Sequence, residues 1–555
     1  MNRFNIYNLV FFKVLLLFTI SSFAQEMEFH VANPLEISPT LSGNYGELRP
    51  NHFHAGLDLK TGGQIGLPVH TAAPGYVSRI KISPYGYGKA IYITHSNGYT
   101  TLYGHLNGFN DSIKRYVRRI QYEQEALSID VYPGNLDLVV KENQIIAFSG
   151  NTGGSGGPHV HFEVRETKTE VPRNPLLFHF PLSDSKKPII EAIGIAPLNS
   201  ESKVQNRSAT QHFRVSSGGI NGNNAIIVSG VFGIEMSGYD QQDGAANRNG
   251  IFSVKCFVDD QVVSTFIADS IPFDQGRYMN ALIDYEYYYR TRRRFMRLYR
   301  LPGNVLENID YKKDGRLELS EGNHVIRIEA ADYSGNISSV SFNISYSLME
   351  AALESPSEQI LWNTDYYYES QRFRLYVPKG ALYQNEKLSV TENEETIEIL
   401  RRQVPLQKTI QIKIYAPDEK QGDLIGLLNS KGKISRALLT KREGQWLSAE
   451  SKSFGKFDVI LDQSPPVIRP GNFRNDLNVI SQDLTFDIQD NLSGIEDSDA
   501  YIDGKWVLAQ YEPKQNLLFI ESEEIAKSTK QQELLIEVRD MAGNVATFEG
   551  TFYKR

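Results

Sequence analysis

Two histidines two residues apart, His159 and His161 in Gly-Gly-Pro-His-Val-His-Phe-Glu-Val, lie among residues that favour strands. Alternate side chains of a strand share a face, so both imidazoles project together while Val160, Phe162 and Val164 face the other way. About a hundred residues upstream, His54-Ala-Gly-Leu-Asp58 places His54, Gly56 and Asp58 on one face if it too is a strand, with Leu57 and Leu59 behind. Two such strands can bring two neutral imidazoles and one carboxylate to a single zinc, the usual three protein ligands of a hydrolytic site that keeps a fourth position for water. A zinc so held keeps a net positive charge, enough to polarise a carbonyl and acidify a water. The competing reading of His-x-His alone is a pair of exposed surface histidines. Against it stand the placement of both constellations in one stretch of short strands and the glycines beside them (Gly56, Gly153, Gly154, Gly156, Gly157), which allow close backbone approach.

The elements that must position these residues read as β-structure. From Phe29 to about Pro181 short strand patterns alternate with Gly, Pro and Asn punctuation, for example Gly75-Tyr-Val-Ser-Arg-Ile-Lys-Ile and Thr100-Thr-Leu-Tyr-Gly-His105. One exception runs from Phe109 to Ala126, where Ile113, Tyr116, Val117 and Ile120 recur at helical spacing. A helical insertion at about 108–140 is the expectation.

Three separated motifs now carry a resemblance. His54-x-x-x-Asp58, Tyr103-Gly-His105-Leu and Gly157-Pro-His159-Val-His161-Phe-Glu stand in the order and rough spacing of the lysostaphin-type (LytM-like) zinc metallopeptidases of bacterial cell walls. The run Gly150-Asn-Thr-Gly-Gly-Ser-Gly-Gly and Ala73-Pro-Gly-Tyr-Val are similar to the family pattern as well. The resemblance covers roughly residues 40 to 170. It implies one zinc per chain held by His54, Asp58 and His161, with His105 and His159 lining the cleft and acting on the water or the oxyanion. It also implies hydrolysis of peptide bonds in peptidoglycan cross-links or stem peptides through zinc-activated water. The segment from Asn107 to about Val140 departs from the family, where many relatives have a short connection. It supports a different reading, a non-catalytic or autoinhibited wall-binding regulator of another hydrolase, with a regulatory protein meeting the insertion or the trailing domains.

Length and composition frame the rest. At 555 residues and formal net charge −8, the chain has room for several domains and no basic block that favours nucleic acid. Residues 1–24 read as a signal peptide, with Arg3, an apolar run through Val14–Ile20 and Ser22-Phe-Ala24 before the cut. The expectation is export, to the periplasm or to the extracellular side and cell envelope, with no membrane span left after cleavage; Lys13 leaves an uncleaved anchor as the competing reading. The single cysteine, Cys256, rules out an intramolecular disulfide and reads as a buried thiol.

Beyond residue 185 the chain repeats itself weakly. Ile328-Glu-Ala-Ala-Asp-Tyr-Ser-Gly-Asn matches Ile536-Glu-Val-Arg-Asp-Met-Ala-Gly-Asn, each a strand entering a tight turn. These units resemble bacterial immunoglobulin-like sandwich domains. The expected layout is mainly β: a metallopeptidase domain with an antiparallel sheet at 25–185, then β-sandwiches at 186–350, with an insertion between about 268 and 315, at 351–464 and at 465–555. Within the insertion, Tyr285–Arg300 interleaves aromatics with arginine, expected as a hairpin or helix packed on its sandwich. Arg49, near the first motif, is a candidate for a substrate carboxylate, and His52 and His95 are expected at the surface or in structural roles.

Overall fold

The computed structural model describes residues 29–216, 219–220, 224–348, 358–479 and 481–554. The expected signal peptide lies outside them. Among the described residues no helix is long and apolar enough to cross a membrane.

The N-terminal unit is built on a nine-stranded antiparallel sheet. Its centre is β1 (Leu57–Lys60), β2 (Tyr99–Leu106) and β3 (His159–Glu166), with β3 between the other two. In register, His161 stands opposite Asp58 on one side and Gly104 on the other. The alternation of β3 explains its place in the sheet: Val160, Phe162 and Val164 are fully buried in the core with Leu57, Leu59 and Tyr103. Each such side chain contributes about 1.5–3 kcal/mol by leaving water, which fixes the register and turns His159, His161 and Glu163 to the opposite face.

The expected helical insertion begins with α1 (Asp111–Gln124). Asn110 caps it by accepting the Ile113 N–H, and Glu125 ends it in the left-handed conformation. Ile113 and Val117 bury one face in the core. After it, Ile129–Val131 and Val139–Val140 pair with the strand Gly75–Ile82, so the rest of the insertion extends the sheet.

Three β-rich units follow, each with its own apolar core. The first and last share a topology in which a strand near the start pairs parallel with the final strand: Ile226–Ser229 with Ile337–Ser347, and Leu477–Asn478 with Val545–Tyr553. Both close with a long hairpin through the Asp-x-x-Gly-Asn turn. Among the described residues the middle unit has two five-stranded sheets and a two-stranded ribbon, Gln359–Ile360 with Glu386–Lys387. Cys256 is buried, its thiol pushed up to about 12 by burial.

The first unit's insertion folds as a 3-10 turn (Phe273–Tyr278) and two short helices, α2 (Met279–Leu282) and α3 (Tyr285–Thr291). Tyr285 and Tyr288 pack on the sandwich core, which accounts for the aromatic half of the Arg-rich stretch. The insertion also joins units: Asn280 donates to Asn51 beside the first motif, and Arg277 donates to the Leu406 carbonyl of the middle unit.

Candidate metal centre

The five residues expected at the site come together. His161 and His159 project from one face of β3, Asp58 from β1 beside it, and His105 from the end of β2 in a left-handed backbone conformation. His54 differs from the expectation. It does not share a strand with Asp58: the strand ends at Phe53, the chain bends through residues 54–56, and β1 starts at Leu57. The bend follows from Gly56, whose missing Cβ leaves room for the Phe162 carbonyl. His54 therefore reaches Asp58 from the side rather than from the same strand face.

One ring nitrogen of His54 and one of His161 is anchored on an oxygen outside the centre. His54 Nδ1 donates to the Asn44 carbonyl at 2.8 Å, and His161 Nε2 donates to Glu163 Oε1 at 2.8 Å. Their other nitrogens meet the same Asp58 oxygen. His54 Nε2 lies 3.0 Å from Asp58 Oδ1, His161 Nδ1 lies 2.8 Å from it, and the two nitrogens are 3.0 Å apart. Three atoms, each able to hold a proton or a metal ion, converge in a buried pocket. Such a centre is stable only around a cation.

Electrostatics agree. Burial lowers His54 to about 4, so it is neutral. Burial also disfavours charge on His161, but the hydrogen bonds to Asp58 and Glu163 outweigh it and raise the ring to about 9. Burial opposes the Asp58 charge, yet the surrounding histidines hold it well below the usual carboxylate range. The pocket thus favours a positive charge beside Asp58.

The donor set fits zinc. Ligand atoms of a tetrahedral zinc with bonds of 2.0–2.1 Å stand about 3.3 Å apart, close to the spacings here. The supports beyond the ligands fit as well. Arg49 Nη2 holds the second Asp58 oxygen at 2.5 Å, leaving Oδ1 as the single donor. Gly43 makes this pair possible, because a Cβ there would overlap the Arg49 guanidinium and crowd Asp58. Arg49 is therefore committed to Asp58 rather than to a substrate carboxylate.

Glu163 is fully buried and braced by Arg165 Nε at 2.6 Å and the Tyr87 hydroxyl at 2.5 Å. It fixes the His161 ring, and a Glu163→Gln chain is expected to bind zinc about 10–100-fold more weakly in competition with a chromophoric chelator. Unchanged affinity would show that the ring is held by packing alone.

The other two histidines flank the centre. His105 Nδ1 donates to the Thr152 carbonyl at 2.8 Å, and His159 Nδ1 donates to the Gly157 carbonyl at 2.8 Å. Burial, with the charges of His161 and His159, lowers His105 to about 3. The His159 Nε2 atom lies 3.4 Å from Asp58 Oδ1, and the two rings are 4.7 Å apart. Both anchoring carbonyls come from the Gly150–Gly157 run, which packs so closely on Gly88 that Gly153 has no space for a side chain. The sequence offers no signal for Asn44, Thr152 or Gly157 as anchors, since each acts through a backbone carbonyl. His52 is exposed, and His95 is a buried structural residue bonded to the Pro74 carbonyl and Thr101.

Comparison with known proteins bears on this geometry. Residues 52–122 match the model of Peptidase family M23, and residues 357–462 match the Zu5-like domain. The M23 match holds His54, Asp58 and His105 and ends inside α1, with His159 and His161 beyond it. The chain is 34% identical over 113 residues to the DD-carboxypeptidase/endopeptidase Mpg of Neisseria meningitidis serogroup B, covering 20% of each chain. It is 35% identical over 111 residues to the peptidoglycan DD-endopeptidase ShyB of Vibrio cholerae, again 20% of each. An uncharacterized metalloprotease of Haemophilus influenzae is 31% identical over 140 residues, 25% of this chain and 23% of that one. The chain thus spans about a fifth of the length of the curated relatives it matches. With His54, Asp58 and His105 inside the matched stretch and β3 closing the pocket over them, the N-terminal unit is a Peptidase family M23 (LytM-like) domain.

Proposed function

We propose that this chain is an exported zinc endopeptidase that hydrolyses peptide bonds in peptidoglycan cross-links or stem peptides. The observation that carries the reading is the convergence of three potential ligand atoms, on His54, Asp58 and His161, within 2.8–3.0 Å of one another. One zinc per chain at that point supplies Lewis acidity towards the scissile carbonyl and an activated water. His54 and His161 bind it as neutral rings locked in the required tautomer by Asn44 and Glu163. His105 and His159 present Nε2 atoms to the cleft, where one takes a proton from the attacking water and the other, once protonated, stabilises the oxyanion or protonates the leaving amine. The relatives named as DD-endopeptidases support peptidoglycan as the substrate class. Export rests on the leader-like residues 1–24, and the first and last trailing units read as immunoglobulin-like sandwiches. Isolated sacculi incubated with the zinc-loaded chain are expected to release cross-linked fragments, and release that persists after chelation would contradict the reading.

A second reading, restricted access, is favoured by the last unit. It docks on the peptidase domain beside the cleft. The solvent face of α1 supplies Lys114, Arg118 and Tyr122, which meet Glu523 at 2.8 Å and Glu524 at 2.8 and 2.6 Å. The Tyr122 ring packs edge-on against Trp506 at 5.3 Å. Lys514 donates to the carbonyls of Asn151 and Ser155, in the same glycine-rich run that anchors His105 and His159. The Lys114–Glu523 pair is exposed and of a kind that contributes about 0–1 kcal/mol, while Glu524 is buried beneath Arg118 and Tyr122, so this second carboxylate is where the latch holds. A Tyr122→Ala, Lys514→Ala chain is expected to cleave intact sacculi several-fold faster while its rate on small cross-linked muropeptides stays the same. Equal rates on both substrates before and after substitution would show that the latch does not gate the cleft.

A further inference from the structure

Outside the peptidase site, two groups of aspartates occupy equivalent places in the repeated units. Asp184, Asp240 and Asp332 each offer an oxygen within 4.8 Å of the others in the first unit, and Asp462, Asp490 and Asp540 do the same in the last. The correspondence is position by position. Asp184 and Asp462 each precede the first strand of their unit, Ile189–Pro197 and Val467–Pro470, by five residues. Asp240 and Asp490 directly follow Phe232–Tyr239 and Leu484–Gln489. Asp332 and Asp540 open the Asp-x-x-Gly-Asn turn. The turn asparagine does the same work twice. Asn336 Nδ2 donates to Asp332 Oδ2 at 2.7 Å and to the Asp184 carbonyl at 3.1 Å. Asn544 Nδ2 donates to Asp540 Oδ2 at 2.8 Å and to the Asp462 carbonyl at 3.1 Å.

An acidic cluster alone is no site, because carboxylates often gather where backbone N–H groups satisfy them. Here some oxygens are left over. Asp240 is 6% exposed and its Oδ1 has no hydrogen-bond partner. Asn249 is 4% exposed and its Oδ1 has none either. These two residues face each other across a bridge in which each N–H donates to the other's carbonyl, at 3.0 and 2.8 Å, so their side chains stand on the same side. Both line one small cavity with Asp184 and Asp332. In the last unit Asp490 Oδ1 and the 7%-exposed Ser493 Oγ are likewise unpartnered, and the Ser493 N–H donates to Asp462 Oδ2 at 3.0 Å. The ammonium nearest the first group, Lys186 Nζ, is committed to the carbonyls of Gln242 and Ala245. A buried, unpartnered amide oxygen in the same small cavity as three carboxylates is a costly arrangement unless a cation sits among them.

We infer that each of these two units binds one calcium ion, through Asp184, Asp240, Asp332 and Asn249 in the first and through Asp462, Asp490 and Asp540, with Ser493 beside them, in the last. All the donors are oxygen, the chemistry of a hard cation rather than zinc. Calcium takes six to eight oxygens in a flexible arrangement, which a set of aspartates with an amide or hydroxyl beside them can supply, whereas magnesium demands a near-ideal octahedron and keeps several waters. The first site also has a mechanical consequence. Leu41, Asn44, Tyr45 and Asn174 of the peptidase domain line the same cavity, so an ion there ties the peptidase domain to the chain that follows it. Asn44 is the residue whose carbonyl fixes the His54 tautomer.

The test is calcium uptake by the full chain, stripped with chelator and dialysed against calcium chloride at about 1 mM, the range of loosely held structural calcium. Two calcium ions per chain are expected, with a calcium-dependent rise in Tm. Asp240→Asn and Asp490→Asn chains are each expected to take up one, and the double variant none. In chelator, Asp240→Asn is expected to melt at or above the parent temperature, because it removes an unpaired buried charge; this distinguishes lost binding from lost folding. No uptake by the parent chain, or uptake that both variants leave at two, would overturn the proposal. A His54→Ala, His161→Ala chain that still binds two calcium ions separates these sites from the zinc centre.

Discussion

A His161→Ala chain is expected to lose its zinc and its hydrolytic activity together. The substitution removes one of three converging donors and leaves Glu163, fully buried, without the ring it orients. Loss of a Lewis acid worth several kcal/mol of transition-state stabilisation corresponds to a rate drop of about 10³-fold or more. Asp58→Asn is expected to do the same by a different route. The amide keeps the shape but surrenders the negative charge that offsets the metal, and it leaves Arg49 facing a neutral group. Metal content after gel filtration, read with the rate of cross-link cleavage, checks both. A His161→Ala chain that keeps about one zinc and full activity would remove His161 from the ligand set.

His159→Ala and His105→Ala chains are expected to separate binding from chemistry. Neither ring supplies one of the three converging atoms, so each variant is expected to hold about one zinc. Activity is expected to fall by about 10²–10⁴-fold, the usual loss for a positioned proton-transfer group. The two should differ in pH profile. His105 is anchored by the Thr152 carbonyl and kept neutral by burial, so its removal is expected to leave the acidic limb of the profile in place. A variant that loses zinc as fast as His161→Ala would move its histidine from the chemistry to the metal.

The β3 half of the site was legible in the sequence because a strand has a period of two. Once Val160, Phe162 and Val164 are assigned to the core, His159, His161 and Glu163 must share the other face. The same logic failed for His54-Ala-Gly-Leu-Asp58, because alternation holds only inside a strand. Gly56 lets the chain bend against the Phe162 carbonyl, and that close approach has no signature in residue spacing. The anchors of the histidines were invisible for a related reason: Asn44, Thr152 and Gly157 act through carbonyls that every residue carries. Arg49 was readable as a charge near the site, but its commitment to Asp58 depends on the absent side chain of Gly43.

Long-range contacts were the least legible. The helical period of α1 identified its core face, Ile113 and Val117, yet nothing in that period shows that Lys114, Arg118 and Tyr122 meet residues four hundred positions later. The repeat was visible at Asp332 and Asp540 because the turn that follows them is distinctive. Their convergence with Asp184 and Asp240, or with Asp462 and Asp490, is a product of the folded sandwich.

The most direct measurement is mass spectrometry of the products from defined cross-linked muropeptides, run with zinc-loaded chain, chelated chain and chelated chain given zinc back. The zinc-peptidase account predicts cleavage of a peptide bond by the first and third and none by the second. Cleavage that survives chelation, or a zinc-loaded chain that binds these muropeptides and never cuts them, would contradict it.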